Sequence, residues 1–101
     1  MLIEEMRNWL NSVYQKIEAY GYDISFTELP SSENVQAIQI DFESEIKIAR
    51  ITLEISGECD LEIIEIESEK TAFVKHFESS SRFLVCEALK EFEKKLLMLT
   101  E

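Results

Sequence analysis

The stretch ITLEISGECDLEIIEIESE, residues 51–69, contains two runs of alternating apolar and polar residues on either side of a Ser-Gly pair. Such alternation is typical of strands with one buried face, and the Ser-Gly pair predicts a turn between them. The stretch also holds seven acidic residues and no lysine or arginine. It therefore predicts a β-hairpin whose exposed face carries charge of a single sign.

Two other segments alternate as strands do. Residues 22–27 precede Pro30 and the polar stretch PSSEN, which we expect to end the first strand. Residues 72–77 form the last predicted strand.

A second hairpin is predicted just upstream of residues 51–69. With residues 43–45 as the loop, Phe42 faces Ile46 and Ile40 faces Ile48, so that the apolar side chains share one side.

The phase of the alternation slips twice in this part of the chain. A bulge near Ala49 and Arg50 would keep Arg50 out of the core, and a second bulge near Ile63 and Ile64 would restore the alternation one residue later. The residues expected to face the core are Ile51, Leu53, Ile55, Leu61, Ile63, Ile64 and Ile66.

Segments with helical periodicity precede and follow the predicted strands. The first helix should end at Gly21, and the serines of ESSSR, residues 78–82, are good N-caps for a second helix. The apolar faces are Leu2, Met6, Trp9, Leu10, Val13, Ile17 and Tyr20 in the first helix, and Val85, Ala88, Leu89, Phe92, Leu96 and Leu99 in the second. We expect an α+β fold in a single domain, residues 1–101, with an antiparallel sheet of four or five strands flanked by an N-terminal and a C-terminal helix.

The overall charge restricts the partners. Ten basic residues against 21 acidic ones give a net charge of −11. Nucleic acids and anionic membranes bind proteins largely through lysine and arginine, so neither is expected as a direct partner, and a cationic protein is favoured. The chain has no apolar run of about 20 residues and no basic flank of a signal peptide at its start, which predicts a cytoplasmic protein.

The acids of residues 51–69 should share a face. If the apolar residues of these two strands are buried, the face away from the core carries Glu54, Asp60, Glu62, Glu65 and Glu67, with Glu58 in the turn at its edge. A solvated face is the ordinary explanation of such a pattern. A surface selected only for solubility would include lysine partners across the strands, so their absence favours a binding surface for a basic partner.

Catalytic and metal-binding patterns are weak. Asp41, Glu45 and Lys47 resemble the carboxylate and Glu-x-Lys spacing of metal-dependent nucleases, yet an acidic chain is poorly suited to a polyanionic substrate. His76 is the only histidine, and no glycine-rich elbow accompanies a pairing with Cys86 or a nearby serine. The two cysteines lack metal-ligand spacing, and no calcium loop is present. We expect no enzymatic activity, no metal and no cofactor.

The stretch IDFESEIKIARITLEISGECDLEIIEIESEK, residues 40–70, together with Trp9, resembles the TriTu family of bacterial immunity proteins. Its most specific pieces are DFES at residues 41–44, ARIT at residues 49–52 and SGECDLE at residues 56–62. The resemblance implies a small cytosolic antidote that neutralises the toxic C-terminal domain of a contact-dependent growth inhibition system.

In that family the cognate toxin is thought to cleave transfer RNA and to work with elongation factor Tu. The resemblance therefore implies a basic nuclease domain as the partner, with elongation factor Tu as an optional member of the complex. The acidic residues proposed to touch the toxin come from alternation and charge and are not inherited from the family. A small acidic adaptor or secretion-type chaperone, which would bind a protein client through exposed apolar surface, is the alternative.

Overall fold

The computed structural model of the chain describes residues 2–31, 34–78 and 82–98. Its elements, in chain order, are α1 (Leu2–Ala19), β1 (Asp23–Ser31), β2 (Asn34–Glu43), β3 (Lys47–Glu54), β4 (Glu58–Glu65), β5 (Thr71–Glu78) and α2 (Arg82–Leu97). The predicted α+β fold is confirmed, with five strands between the two helices. Neither of these helices is long and apolar enough to cross a membrane.

The five strands form one antiparallel sheet in the order β1-β2-β3-β4-β5. The helices contact each other, α1 contacts β1, and α2 contacts β4 and β5, so both lie on the same side of the sheet. We call this side the covered face. No element of the described chain packs on the other side, which we call the open face.

The core lies between the covered face and the helices. Its fully buried large side chains are Met6, Ile17, Ile38, Ile40, Phe42, Ile51, Leu53, Leu61, Ile63, Leu89, Phe92 and Leu96. Phe92 joins the layers, because its ring centre lies 5.5 Å from that of Phe42, 6.3 Å from that of Trp9 and 6.3 Å from that of Phe73. The predicted apolar faces of both helices are thus confirmed. The exceptions are Tyr20, which is exposed beyond the end of α1, and Leu2 and Leu99, whose side chains lie outside those described.

Gly21 terminates the first helix as predicted. It has a φ of +98°, in the left-handed region that glycine adopts readily, and its N–H donates to the Glu18 carbonyl at 2.9 Å. The following residue, Tyr22, is buried, and its hydroxyl donates to the carbonyl of Leu96 at 2.8 Å. This bond ties the start of the sheet to the end of α2. The predicted serine N-caps of α2, residues 79–81, lie outside the described residues.

Pro30 does not end the first strand. β1 continues through it to Ser31, and the register against β2 shifts between Leu29 and Pro30, where Gln36 is the extra residue on β2. Because β1 is an edge strand, the missing N–H of proline can be tolerated there beside a bulge. The prediction of a strand end at this point is therefore wrong.

The predicted register of the middle hairpin is also wrong. Phe42 pairs with Ala49 and Ile40 pairs with Ile51, and β3 runs without a register shift against either neighbour. The expected bulge at residues 49–50 is absent from this described strand. Ile48 instead lies on the open face, where Arg50 pairs with Asp41.

Lys47 provides the physical reason for this register. Its side chain is on the covered face with only 3% of the residue exposed, and its Nζ donates to the carbonyl oxygens of Lys95 at 3.1 Å and Met98 at 2.6 Å. These carbonyls belong to the last turn of α2 and its end, where a cation is favoured by the helix dipole. Burial lowers the pKa of Lys47, and the charge of Glu65 acts in the opposite direction.

The hairpin of β3 and β4 turns at a glycine, as the sequence indicates. Gly57 has a φ of +104° and its N–H donates to the Glu54 carbonyl at 2.9 Å. Ile55 lies in this turn and is exposed, so its predicted core position is wrong.

The predicted irregularity at Ile63 and Ile64 is present, but it has a different effect. The register of β4 against β5 shifts at this point because β5 contains the extra residue, Ala72, while β4 continues to pair regularly with β3. Ile64 therefore faces the open side opposite Ile48, and Ile66 is exposed beyond the strand end. Both residues were predicted to face the core, and both predictions are wrong.

The aromatic contacts of Phe92 yield a prediction for stability. Phe92→Ala should lower the free energy of unfolding by about 3–5 kcal/mol, because it removes a fully buried ring from the junction of α2 with α1, β2 and β5. Phe26→Ala, at a partly exposed ring near the edge of the sheet, should cost much less. Urea unfolding measures both, and equal losses would contradict the assigned core.

Candidate functional site

The open face carries a group of carboxylates at the end of the sheet where β3 turns into β4. Cys59, Leu61 and Ile63 are buried, so the even-numbered positions of β4 point away from the core. The first three of these positions and the last residue of β3 form the acidic patch, which comprises Glu54, Glu58, Asp60 and Glu62. Four of the six predicted site residues thus share one face.

Glu65 and Glu67 do not join the acidic patch. Glu65 pairs with Lys47, whose side chain is on the covered face, and accepts a hydrogen bond from the Ser68 hydroxyl at 2.9 Å. Glu67 lies in the turn that follows β4. The prediction assumed that the irregularity at residues 63–64 exchanges the faces of β4, whereas the extra residue is on β5.

The open face holds more acids than the sequence analysis assigned to it. Carboxylates directly oppose each other in the pairs Asp23–Glu43 and Glu58–Glu78. In all, the described strands place eight carboxylates there: Asp23, Asp41, Glu43, Glu54, Glu58, Asp60, Glu62 and Glu78. Like charges opposite each other destabilise a sheet, so this face is not arranged for maximal stability.

Two basic side chains accompany these acids on the described strands. Arg50 Nε donates to Asp41 Oδ1 at 2.7 Å, and Glu62 lies directly opposite Arg50 on β4. His76 pairs with Asp60, and its Nδ1 contacts Asp60 Oδ1. Each basic side chain is therefore already paired with a carboxylate of its own face.

His76 lies at the surface beside the acidic patch. Its side chain is 60% exposed. The hydrogen bond to Asp60 raises its pKa, and the negative charges of Asp60, Glu58 and Glu54 add to this effect. Cys86, which the sequence analysis considered as a partner for His76, lies on α2 on the other side of the sheet, so these two side chains are not paired.

The nuclease-like pattern is not assembled either. Asp41 is on the open face, whereas the Lys47 side chain is buried on the covered face against α2. Burial and the neighbouring Asp60 raise the pKa of the Cys59 thiol to about 12, which keeps it protonated and unreactive at neutral pH. Within residues 2–31, 34–78 and 82–98, no three His, Cys, Asp or Glu side chains converge on a possible metal position.

Apolar side chains occupy the opposite end of the open face. Ile48 and Ile64 are direct cross-strand partners. Just beyond the strand ends, the N–H of Ile66 donates to the carbonyl of Ile46 at 3.0 Å. Ile46, Ile48 and Ile66 are 46%, 40% and 42% exposed, and Ile64 is partly exposed. These four residues form what we call the isoleucine patch.

Sequence reasoning missed the isoleucine patch because isoleucine at strand spacing was assigned to the core. The opposite charges of Asp41 and Arg50 were the signal that could have found it. Placing these two residues across from each other gives the observed register and turns Ile48 outwards.

A shallow depression joins the two ends of the open face. It has a volume of about 510 Å³ and contains the Asp41–Arg50 ion pair together with Ile48, Glu62 and Ile64. The open face therefore offers a continuous surface that changes from apolar to acidic over a few strand positions.

A two-layer α+β chain with such a surface is typical of a small protein that acts by binding another protein. The family model of Immunity protein TriTu matches residues 4–95, so the chain belongs to the TriTu family of immunity proteins. This match confirms the predicted family. No curated protein sequence matches the chain.

Family membership also gives the broad function. Immunity proteins are non-enzymatic inhibitors, which confirms the prediction that the chain is not an enzyme. The function is neutralisation of a toxin, and the partner is the cognate toxin.

The contact between His76 and Asp60 predicts a measurable titration. The pKa of His76 should lie above its ordinary value of 6.5. Because the folded-state pKa is raised, this pair stabilises the fold below pH 6.5, and the contribution is lost as the pH rises through the folded-state pKa. NMR titration of the imidazole should show Asp60→Asn moving the pKa back towards 6.5 and the control Glu62→Gln leaving it nearly unchanged. A wild-type pKa at or below 6.5 would refute the assigned contact.

Proposed function

We propose that the chain neutralises a basic nuclease toxin of a contact-dependent growth inhibition system by covering the toxin's RNA-binding surface with its open face. In this proposal the toxin cleaves transfer RNA, and the contacts come from Glu54, Glu58, Asp60 and Glu62. The observation that carries it is the cluster of carboxylates on an uncovered sheet face whose cations are already paired.

The spacing of the carboxylates supports a cationic partner. Neighbouring strands lie about 4.8 Å apart, and alternate side chains along a strand lie about 7 Å apart. Both distances are below the Debye length of about 8 Å at physiological ionic strength, so the acids of the patch repel one another through solvent. A partner that presents lysine or arginine would relieve this repulsion on binding.

The chemistry of a nuclease supplies such a partner. A protein that binds RNA must present cationic side chains to the phosphates. An acidic protein seated on those side chains competes with RNA for the same charges and repels RNA that approaches. Inhibition is then steric and electrostatic, and the immunity protein performs no chemical step.

The remaining features of the proposal follow from the target. A toxin that cleaves transfer RNA acts in the cytoplasm, so we propose the same location for its inhibitor, with elongation factor Tu as a further member of the complex. The assignment of residues 1–101 to one domain stays a prediction.

A small acidic adaptor or secretion-type chaperone is the second candidate, and the exposed isoleucine patch favours it. Such a protein binds its client mainly through apolar surface, and its affinity depends little on salt. A nuclease inhibitor with an acidic contact surface should instead associate more slowly as the salt concentration rises.

Charge reversal tests the acidic patch. Glu58→Lys with Glu62→Lys should slow association with the toxin domain encoded beside this protein by about tenfold or more at low salt, because steering by the patch is lost. The slope of the association rate against salt concentration should also decrease. The matched control reverses Glu4 and Glu18, two exposed acids of α1 on the other side of the molecule, for the same change in net charge.

Stopped-flow kinetics separates the outcomes. If both double variants slow association equally, the effect is one of net charge alone, and the acidic patch is removed from the proposal. Absence of any binding by the wild-type protein would overturn the proposed function itself.

A further inference from the structure

The isoleucine patch requires an explanation beyond solubility. Single apolar residues on a protein surface are common, but here Ile48 and Ile64 are cross-strand partners, and Ile46 and Ile66 are hydrogen-bonded to each other just beyond the strand ends. Contiguous exposed apolar surface of this kind often marks a site of interaction. None of the described elements of the chain covers it.

The surroundings of the patch indicate the chemistry of its occupant. Glu43 lies directly opposite Ile48, and Asp41 and Glu62 line the same depression. Arg50, the cation that lines this depression, is held by Asp41 at 2.7 Å. If an apolar side chain of a partner packs against the patch, the residues on either side of it therefore lie next to carboxylates.

We infer that the isoleucine patch binds an apolar side chain of the toxin that is flanked by lysine or arginine. This inference rests on the proposed function and adds to it a second contact area of different chemistry. The flanking cations pair with Glu43 and Glu62, while the apolar side chain packs against Ile48 and Ile64.

A second copy of this chain is a poorer occupant on electrostatic grounds. Pairing two isoleucine patches would bring the acidic rims of both copies together, and each copy carries a net charge of −11. Like charges facing each other across an interface oppose association.

The two areas of the open face then have different kinetic roles. Exposed carboxylates steer the partner and act mainly on the association rate. Desolvated apolar contacts near the centre of an interface act mainly on the dissociation rate. Substitutions in the isoleucine patch should for this reason differ in kinetics from substitutions in the acidic patch.

The test is the double variant Ile48→Thr with Ile64→Thr, measured against the toxin domain by surface plasmon resonance. Threonine keeps the β-branched shape that suits a strand but removes apolar surface. We expect the dissociation constant to rise by about tenfold or more, through the dissociation rate, and the salt dependence of association to persist. The control Leu84→Thr removes apolar surface at an exposed leucine of α2, on the other side of the sheet, and should change the dissociation constant by less than about twofold.

The outcomes separate this inference from the proposed function. Wild-type binding that the double variant retains undiminished would overturn the inference and leave the function standing. An equal loss in the control Leu84→Thr would also overturn the inference. A wild-type protein that does not bind the toxin would overturn the function, and the inference with it. A wild-type dimer in sedimentation that the double variant converts to a monomer would assign the patch to a second copy instead. Thermal unfolding shows whether each variant is folded. If the double variant is unfolded, the single variant Ile48→Thr replaces it in the binding measurement.

Discussion

The buried ammonium group of Lys47 determines how the rest of the molecule is arranged. Its hydrogen bonds to the carbonyls of Lys95 and Met98 connect the first residue of β3 to the end of α2. A lysine buried in this way loses hydration, and the cost is offset only where acceptors and a favourable dipole replace the water. Because the side chains of a strand alternate, fixing Lys47 on the covered face also fixes the direction of every other residue of β3.

The open face follows from that constraint. With Lys47 inside, Ile48 and Arg50 must point outwards, and their partners Ile64 and Glu62 point outwards with them. The result is a surface with the isoleucine patch, bordered by Glu43, at one end and the acidic patch at the other. This face is not arranged for maximal stability, because the isoleucines remain in contact with water and two pairs of carboxylates oppose each other. Sheets that retain such features generally use them for binding, which agrees with membership of a family of toxin inhibitors.

The sequence predicted the parts of this structure that depend on local chemistry. Helical periodicity identified the buried faces of α1 and α2, and Gly21 marked a helix end because few other residues tolerate its backbone conformation. The register of β3 could not be obtained in the same way. Isoleucines occur on both faces of that strand, so alternation alone does not distinguish them, and a lysine is not expected to be the buried residue. The partners that make Lys47 acceptable lie about fifty residues away on α2, beyond the range of any local pattern.

The same limitation explains the errors in the candidate site. The positions of Glu54, Asp60 and Glu62 depend only on the alternation of the two strands, and these residues lie on the open face as expected, whereas Glu58, expected in the turn, is the first residue of β4. Their contact with the toxin stays a prediction. The position of Glu65 depends on which strand contains the extra residue, and this is decided by the pairing with β5 rather than by the sequence of β4.

The central claim is that the open face of the sheet is the surface that binds the toxin. Isoleucine methyl groups report on it directly, because Ile48 and Ile64 lie on the open face while Ile3 and Ile17 lie in α1 on the other side of the sheet. In an NMR titration of methyl-labelled protein with the cognate toxin domain, the signals of Ile48 and Ile64 should shift or broaden, and those of Ile3 and Ile17 should change little. Large changes confined to the α1 isoleucines, with Ile48 and Ile64 unaffected, would contradict the account and assign the interface to the helices.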